Sequence, residues 1–271
     1  MDTQKNTLTV PIAIVVAGII IGGAIFFTRG GPATDVFKDK VVAPAPDVTA
    51  SISFRPIDNN DHILGNPNPT VMMLEYSDLE CPFCKTFHKT MQTLMDQYAK
   101  DGKIAWTYRH FPLDIHPLSP KESEASECAF ELAGNTGFWS YINKIFEITP
   151  SNNQLDPAKL PEIAKGNGLD LTKFNACLSS GKYAQKIKDD YADGLKAGVN
   201  GTPHTILIVA KEISAATETK LSQINQTILS QMPPGTQNMI EIDTSKKKIG
   251  IGGAFQYGMM KEIIDLLLAD K

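Results

Sequence analysis

Four consecutive residues, Cys81-Pro82-Phe83-Cys84, constrain the fold of this chain more than any other feature. They follow a short apolar run, Val71–Glu75, bounded by Pro-Asn-Pro before it and Ser77-Asp78 after it. Such a run reads as a buried strand. Behind the second cysteine, Phe87, Met91, Leu94, Met95 and Tyr98 fall on one stripe, which predicts a helix from close to Cys81 to about Tyr98. Two thiols at i and i+3 of a helix start can close a small disulfide ring. The helix N-terminus presents unpaired N–H groups and a positive dipole, which favour a thiolate at the first cysteine. Thiolate, not thiol, attacks a disulfide. The second cysteine, one turn into the helix, can resolve a mixed disulfide intramolecularly.

Three other readings of the pair stand beside redox chemistry. A zinc site calls for two such pairs, and Cys128 and Cys177 are isolated singles. Attachment of a c-type haem needs His after the second cysteine, and position 85 is Lys. A purely structural disulfide stays open, although so tight a loop constrains little entropy. Gly201-Thr202-Pro203, leading into the apolar run His204–Val209, weighs toward redox chemistry. A cis X-Pro peptide there would hold backbone beside the thiols, free to pair with an extended substrate segment.

Elsewhere, Ile104–Tyr108 reads as a second strand, and His204–Val209 as a third. From about Ser119 to Gly198 the pattern is helical, with Phe130, Phe138, Trp139, Ile142 and Phe146 as apolar anchors. Met239–Ile242 and Lys248–Ile251 read as two strands joined by a turn, and Gln256–Ala269 as a closing amphipathic helix. This order predicts an α/β layer fold with a helical insertion. The net charge of −4 leaves no basic surplus for phosphates, so nucleic acid is not an expected partner.

No charge occurs from Thr7 to Thr28, close to the about 20 residues a helix needs to cross a bilayer. A cleaved signal peptide has a shorter apolar run, of about 7–15 residues, and a small-residue exit. This run ends in Phe26-Phe27-Thr28-Arg29. The expected division is a cytoplasmic tail over 1–6, an uncleaved transmembrane anchor over 7–28, a flexible linker over 29–55 and a domain over 56–271. Within the domain lie a helical insertion over about 117–198 and a second insertion over about 211–237. Counting Lys and Arg around the span does not decide its orientation.

Four segments, in order, resemble the DsbA-like thiol–disulfide oxidoreductases of bacterial envelopes. They are His62-Ile-Leu-Gly-Asn-Pro-Asn-Pro, Leu74-Glu-Tyr-Ser-Asp-Leu-Glu-Cys-Pro-Phe-Cys-Lys, Gly201-Thr-Pro and Gly252-Gly-Ala. The likeness runs from roughly Asp61 to the C-terminus, and the anchor makes the membrane-tethered members the better match. It implies a thioredoxin fold with a helical insertion, preceded by one transmembrane helix. By position it implies that Cys81 is an exposed nucleophile, Cys84 a buried resolving cysteine and Pro203 a cis-proline. Pro82, Phe83, Thr202 and Pro203 would contact substrate. Glu75 matches a buried acidic residue that the family uses for proton handling; a paired or partly solvated carboxylate is the other reading.

The function so implied is a dithiol oxidase for exported proteins, re-oxidised by a quinone-linked membrane partner. With no flavin or metal motif, the dithiol itself is the redox group, and neither cofactor nor metal is expected. A redox-active disulfide persists only outside a reducing cytosol. That places the catalytic domain on the outer side of the cell membrane, behind a single-pass helix. A disulfide reductase or isomerase is the alternative among enzymes. A tethered substrate-binding or holdase module with an inert disulfide is the alternative from another class.

The chain departs from the family pattern at three places. Phe83 stands where His is frequent, and His204 where Thr, Ala or Val is commoner. The third is the insertion over 211–237, whose Leu221, Ile224, Ile228, Leu229 and Met232 form a helical stripe that reads as self-packing. In a thioredoxin-type sheet the turn after the cis-Pro strand lies opposite the thiols, so this insertion is not assigned to substrate reading. His62, His88, His110 and His116 are dispersed without ligand spacing. Cys128 and Cys177 lie in apolar helical surroundings and have two readings: separately buried thiols, or a bridge favoured by an oxidising compartment. Some DsbA-like relatives carry a second cysteine pair in the helical region, and a structural Cys128–Cys177 disulfide without a catalytic role is the expectation.

Overall fold

The computed structural model describes residues 51–58 and 60–270. The expected tail and anchor, and the linker up to residue 50, lie outside the described residues. Among the described residues, no helix is long and apolar enough to cross a membrane.

Six strands form one mixed sheet among these residues, in the order β1-β3-β2-β4-β6-β5. Strands β2 (Val71–Ser77) and β3 (Ile104–His110) run parallel, joined by helix α1 (Pro82–Tyr98). A parallel pair requires such a crossover. The other pairings are antiparallel: β1 (His62–Gly65) with β3, β4 (His204–Val209) with β2, β6 (Lys248–Gly252) with β4, and β5 (Ile240–Ile242) with β6. Strand β1 was not anticipated: four residues, of which only His62 is buried, carry no periodic apolar signal.

Side chains alternate across a strand, so the sheet has two cores. Met73, Trp106, Leu207 and Ile249 meet Phe87 and Met91 of α1, and Ile263 and Leu267 of the last helix, α7 (Tyr257–Ala269). Leu74, Tyr76 and Ile206 face the other way, against Phe111, Val199 and Ile52. Each such fully buried side chain contributes about 2 kcal/mol. The helical block comprises α2 (Ser119–Ile148), α3 (Lys159–Gly166), α4 (Leu171–Ser180) and α5 (Ala184–Lys196). Helix α2 is two helices meeting at Ala133-Gly134, where Gly134 takes a φ of 60°.

Two sequence expectations change here. The linker does not extend to residue 55, because Ile52 is 5% exposed in the second core. Arg55 is fixed as well, pairing with Asp61 at 2.8 Å and Asp190 at 2.9 Å. Beneath it the buried Arg109 bridges Asp61 at 2.9 Å and Asp193 at 2.6 Å. Among the described residues, packing therefore includes the chain from Ile52 onward, held by apolar burial and a buried charge network.

The second change concerns the insertion over 211–237. Helix α6 (Ala215–Leu229) starts at the sheet end away from the thiols, where Ser214 N donates to Asp270 Oδ2 at 2.8 Å. Its 15 residues reach about 22 Å. The six residues of β4 reach about 20 Å. The helix is thus as long as the strand, and its C-terminal end returns to the thiol end. Met239 N and Ile240 N then donate to Asn225 Oδ1 at 2.9 and 3.0 Å, which fixes the entry into β5. Leu221 is buried against the core as a self-packing stripe requires, but Ile228 and Met232 line a groove beside Phe83 and Thr202.

Candidate active site

Strand β2 ends in a turn over Asp78–Glu80 that delivers Cys81 to the start of α1. Cys81 is the N-cap residue, with extended backbone (φ −77°, ψ 123°), and Pro82 takes the first helical position. That position suits Pro, whose missing N–H has no helical partner to lose. The Cys81 carbonyl accepts from Lys85 N at 3.0 Å, and no acidic residue occupies the first helical turn. The helix dipole and free N–H groups therefore act on the Cys81 sulfur with no carboxylate in the first turn to oppose them.

Cys81 and Cys84 are free thiols. Cys81 is not the exposed nucleophile that the resemblance implies; it is 3% exposed. The Thr202 backbone covers it, with Cys81 Sγ 3.4 Å from the Thr202 carbonyl oxygen. The Thr202–Pro203 peptide is cis, and Pro203 itself is buried. Cys84 is fully buried, and its sulfur accepts from Asp78 N at 3.5 Å. Pro82 and Thr202 are half-buried, while Phe83 is 65% exposed. The cysteine pair, Pro82, Phe83, Thr202 and Pro203 thus meet at one point of the surface.

The two thiols differ in acidity. The Cys84 thiol, the backbone N–H groups of Cys84 and Phe83, and Thr202 lower the Cys81 pKa to about 6, against burial. Burial, then the neighbouring Cys81, push Cys84 well above its ordinary value. A thiolate at Cys81 and a neutral thiol at Cys84 is the distribution that exchange requires of an attacking and a resolving sulfur.

Glu75 stands in the middle of the sheet, opposite Tyr108 of β3 and Thr205 of β4. It is fully buried, and neither carboxyl oxygen makes a hydrogen bond of ordinary geometry to a protein group. Burial pushes its pKa up to about 8; Ser77 and Trp106 lie near enough to oppose the rise, and charge on Cys81 adds to it. Glu75 in turn raises Cys84. The paired or partly solvated alternative for Glu75 does not describe this environment. A carboxyl that is neutral near pH 7, next to a buried sulfur, can hold and pass a proton.

Several residues at this end carry no sequence signal of their position. Asp78 Oδ1 accepts from Glu80 N at 2.8 Å, while Oδ2 accepts from Leu113 N at 2.8 Å and meets His116 Nδ1 at 2.7 Å. The Glu80 carbonyl accepts from Asn152 N at 2.8 Å, and its carboxylate accepts from Asn153 N. Ser151, Asn152 and Asn153 all have positive φ, of 66°, 54° and 65°. Three successive non-glycine residues in that region are strained, and the bonds to Glu80 hold them there. Burial and the neighbouring Glu80 push Glu122 of α2 up to about 10, so the Glu122 carboxyl is neutral at pH 7. The turn carrying Cys81 is therefore clamped from both flanking loops.

The remaining cysteines, with His62, His88 and His110, pack in or against the helical block. Cys128 and Cys177 form a disulfide between α2 and α4, with Cα atoms 5.8 Å apart. His62 and His110 both meet Glu127 Oε1, at 2.8 and 3.1 Å, and Lys186 joins them at 3.2 Å. His88 is buried with Nε2 2.6 Å from Asn143 Oδ1. Burial pushes His204, beside Pro203, down to about 4. Among the described residues, no group of three or more His, Cys, Asp or Glu is arranged to hold a metal ion.

Residues 58–226 match the model of a thioredoxin family. Among solved structures, α-DsbA1 of Wolbachia pipientis superimposes with a TM-score of 0.58 at 24% identity, covering 79% of this chain and 92% of that one. Oxidised BdbD of Bacillus subtilis gives 0.58 at 18% identity, covering 80% and 98%. DsbA2 of Pseudomonas aeruginosa gives 0.54 at 22%, covering 76% and 94%. The fold is DsbA-like. Among curated relatives, Na(+)/H(+) antiporter NhaA 3 of Salinispora tropica is 31% identical over 150 residues, 55% of this chain and 22% of the antiporter. NhaA 1 of Mycolicibacterium gilvum is 27% identical over 190 residues, 69% of this chain and 29% of the antiporter. The chain spans less than a third of the length of either antiporter.

Proposed function

The chain belongs to the thioredoxin family, and from that premise we propose that it is a thiol–disulfide oxidoreductase that introduces disulfides into exported proteins. One observation carries the reading: two neighbouring thiols of opposite acidity, with the nucleophilic one against the Thr202 backbone.

In the oxidised state Cys81 and Cys84 are joined. A substrate thiolate attacks Cys81 Sγ, the Cys81–Cys84 bond breaks, and Cys84 departs as a thiolate that takes up a proton. Glu75, protonated at neutral pH, supplies that proton and regains one from solvent. A second substrate thiolate then attacks the substrate sulfur of the mixed disulfide and releases Cys81 as a thiolate. The substrate has lost two electrons and the active-site pair has gained them. The dithiol itself carries the electrons. The low Cys81 pKa stabilises the reduced pair, which makes its disulfide oxidising and favours the oxidase direction over the reductase or isomerase.

Residues 7–28 are proposed as a single-pass anchor in the cell membrane, with the domain outside and a quinone-linked membrane protein as re-oxidant. The Cys128–Cys177 disulfide supports an oxidising compartment. Intact chain in the membrane fraction is the expected result; a shortened soluble form would overturn the anchor.

Equilibration with glutathione tests the function. The potential should fall between about −120 and −270 mV, the span from strong oxidase to thioredoxin. Cys84→Ser should accumulate mixed disulfides with substrate, because the resolving thiol is gone. A potential more reducing than that of thioredoxin overturns the oxidase reading, and oxidase activity in Cys81→Ser overturns the assigned nucleophile.

A further inference from the structure

We propose that Asn200-Gly201, the dipeptide leading into the Thr202–Pro203 turn, is a site of spontaneous backbone rearrangement, and that the rearranged chain exchanges thiols more slowly because the Thr202 backbone is displaced from Cys81. The consequence at Cys81 rests on the proposed exchange chemistry; the rearrangement itself does not.

The chemistry is intramolecular. The Gly201 amide nitrogen attacks Cγ of the Asn200 side chain and gives up its proton. The Cγ–Nδ2 bond breaks and ammonia leaves, which closes a succinimide ring. Water, the only co-reactant, then opens the ring at either carbonyl. Opening at the former side-chain carbonyl leaves aspartate. Opening at the former main-chain carbonyl leaves isoaspartate, in which the main chain runs through the β-carbon and is longer by that carbon. A glycine after the asparagine favours ring closure, because it has no Cβ to block the approach.

Two Asn-Gly dipeptides occur in the chain, and the fold treats them differently. Asn167-Gly168 closes α3: Asn167 N donates to the Ile163 carbonyl and Gly168 N to the Lys165 carbonyl, both at 3.0 Å, with Gly168 at a φ of 73°. This left-handed cap engages the nitrogen that would attack and fixes the backbone around it. Asn200-Gly201 lies outside helix and strand, and Asn200 is exposed. Among the described residues, Gly201 N donates to no protein acceptor. Nothing stands within 4 Å of the place a Cβ on Gly201 would take. The Asn200 side chain is held by one exposed hydrogen bond, from Nδ2 to Gln237 Oε1 at 3.3 Å.

The neighbours make the added carbon consequential. Val199 is 2% exposed in the second core and Pro203 is buried, so the segment is pinned on both sides. An additional main-chain bond of about 1.5 Å must then be absorbed by residues 200–202. The Thr202 carbonyl oxygen is among the atoms it shifts, and that oxygen is 3.4 Å from Cys81 Sγ. A misplacement of about 1 Å can cost about 100-fold in rate, and displacing a backbone that only contacts the reacting sulfur is expected to cost about tenfold.

The test uses the full-length chain, fresh and after incubation at mildly alkaline pH and body temperature. Peptide mapping by mass spectrometry should find isoaspartate at position 200 and intact asparagine at 167. The aged wild type should oxidise dithiothreitol about tenfold more slowly than the fresh one. Asn200→Ser, aged alongside, should keep its rate, which separates this site from general inactivation. Asn200→Asp adds the charge without the carbon and should stay within about twofold of wild type, because salt screens an exposed charge. An Asn200 that survives incubation, or that converts no faster than Asn167, overturns the site. Full conversion with an unchanged rate overturns its consequence, and an Asn200→Asp rate as low as that of the aged protein overturns the main-chain account of it. A fresh wild type that fails to oxidise even dithiothreitol overturns the exchange chemistry, and the consequence at Cys81 falls with it.

Discussion

Replacing Glu75 by Gln should remove a pH-dependent destabilisation built into the centre of the sheet. The Glu75 carboxyl ionises near 4.5 in an unfolded chain and at about 8 in the folded one, chiefly because of burial. Its folded-state pKa is raised, so the neutral acid favours folding at low pH and that advantage fades as pH rises through 8. At about 1.4 kcal/mol per pH unit, the full penalty at high pH is on the order of 5 kcal/mol. Between pH 5 and pH 9 about 4 kcal/mol of it should appear, a large share of the roughly 5–15 kcal/mol that stabilises a typical domain. The assay is urea unfolding of the oxidised protein at pH 5, 7 and 9, wild type against Glu75→Gln. Oxidation removes the titrations of Cys81 and Cys84. Groups common to both proteins cancel in the difference, which should grow in favour of the variant as pH rises. A stability difference that stays constant from pH 5 to 9 refutes the neutral buried carboxyl and the proton it is proposed to pass to Cys84.

The Cys81 thiol, ordinarily ionising near 9, should do so at about 6, read from thiolate ultraviolet absorbance of the reduced protein and absent in Cys81→Ser. Because this folded-state pKa is depressed, ionisation stabilises the reduced fold fully above pH 9, and the gain is lost as pH falls through 6; a midpoint near 9 refutes the helix-start environment. Replacing Cys128 and Cys177 together by Ala opens a loop with a sequence separation of 49. On the chain-entropy model this costs about 4 kcal/mol, measured by chemical denaturation, and an unchanged midpoint refutes a stabilising bridge.

The strand, turn and helix around Cys81 are legible because every signal there is local: a bounded apolar run, two cysteines at helical spacing and a stripe ending at Tyr98. The same holds for α6, whose stripe of Leu221, Ile224 and Ile228 is visible in the sequence. Its destination is not legible, because a stripe defines a face but not where the helix ends relative to other elements. The clamp on the Cys81 turn is hidden for a related reason. His116 lies 38 residues from Asp78, and Asn153 lies 73 from Glu80. Nothing local marks a buried carboxylate such as Glu80 or Glu122 as different from a solvated one. The low exposure of Cys81 likewise comes from Thr202, a residue 121 positions away.

The two margins of the sheet are both short: β1 has four residues and β5 three. A long flat margin with unpaired N–H and C=O groups is a template for any extended chain that drifts near it. For a protein proposed to act on polypeptides that have not yet folded, such a template would be a trap, because clients would add themselves to the sheet. Here the outer strands can offer only a few backbone bonds. Beside Cys81, by contrast, the Thr202 backbone lies within reach of the reacting sulfur. The architecture thus discourages clients from pairing where no chemistry happens, and leaves backbone available where a sulfur waits.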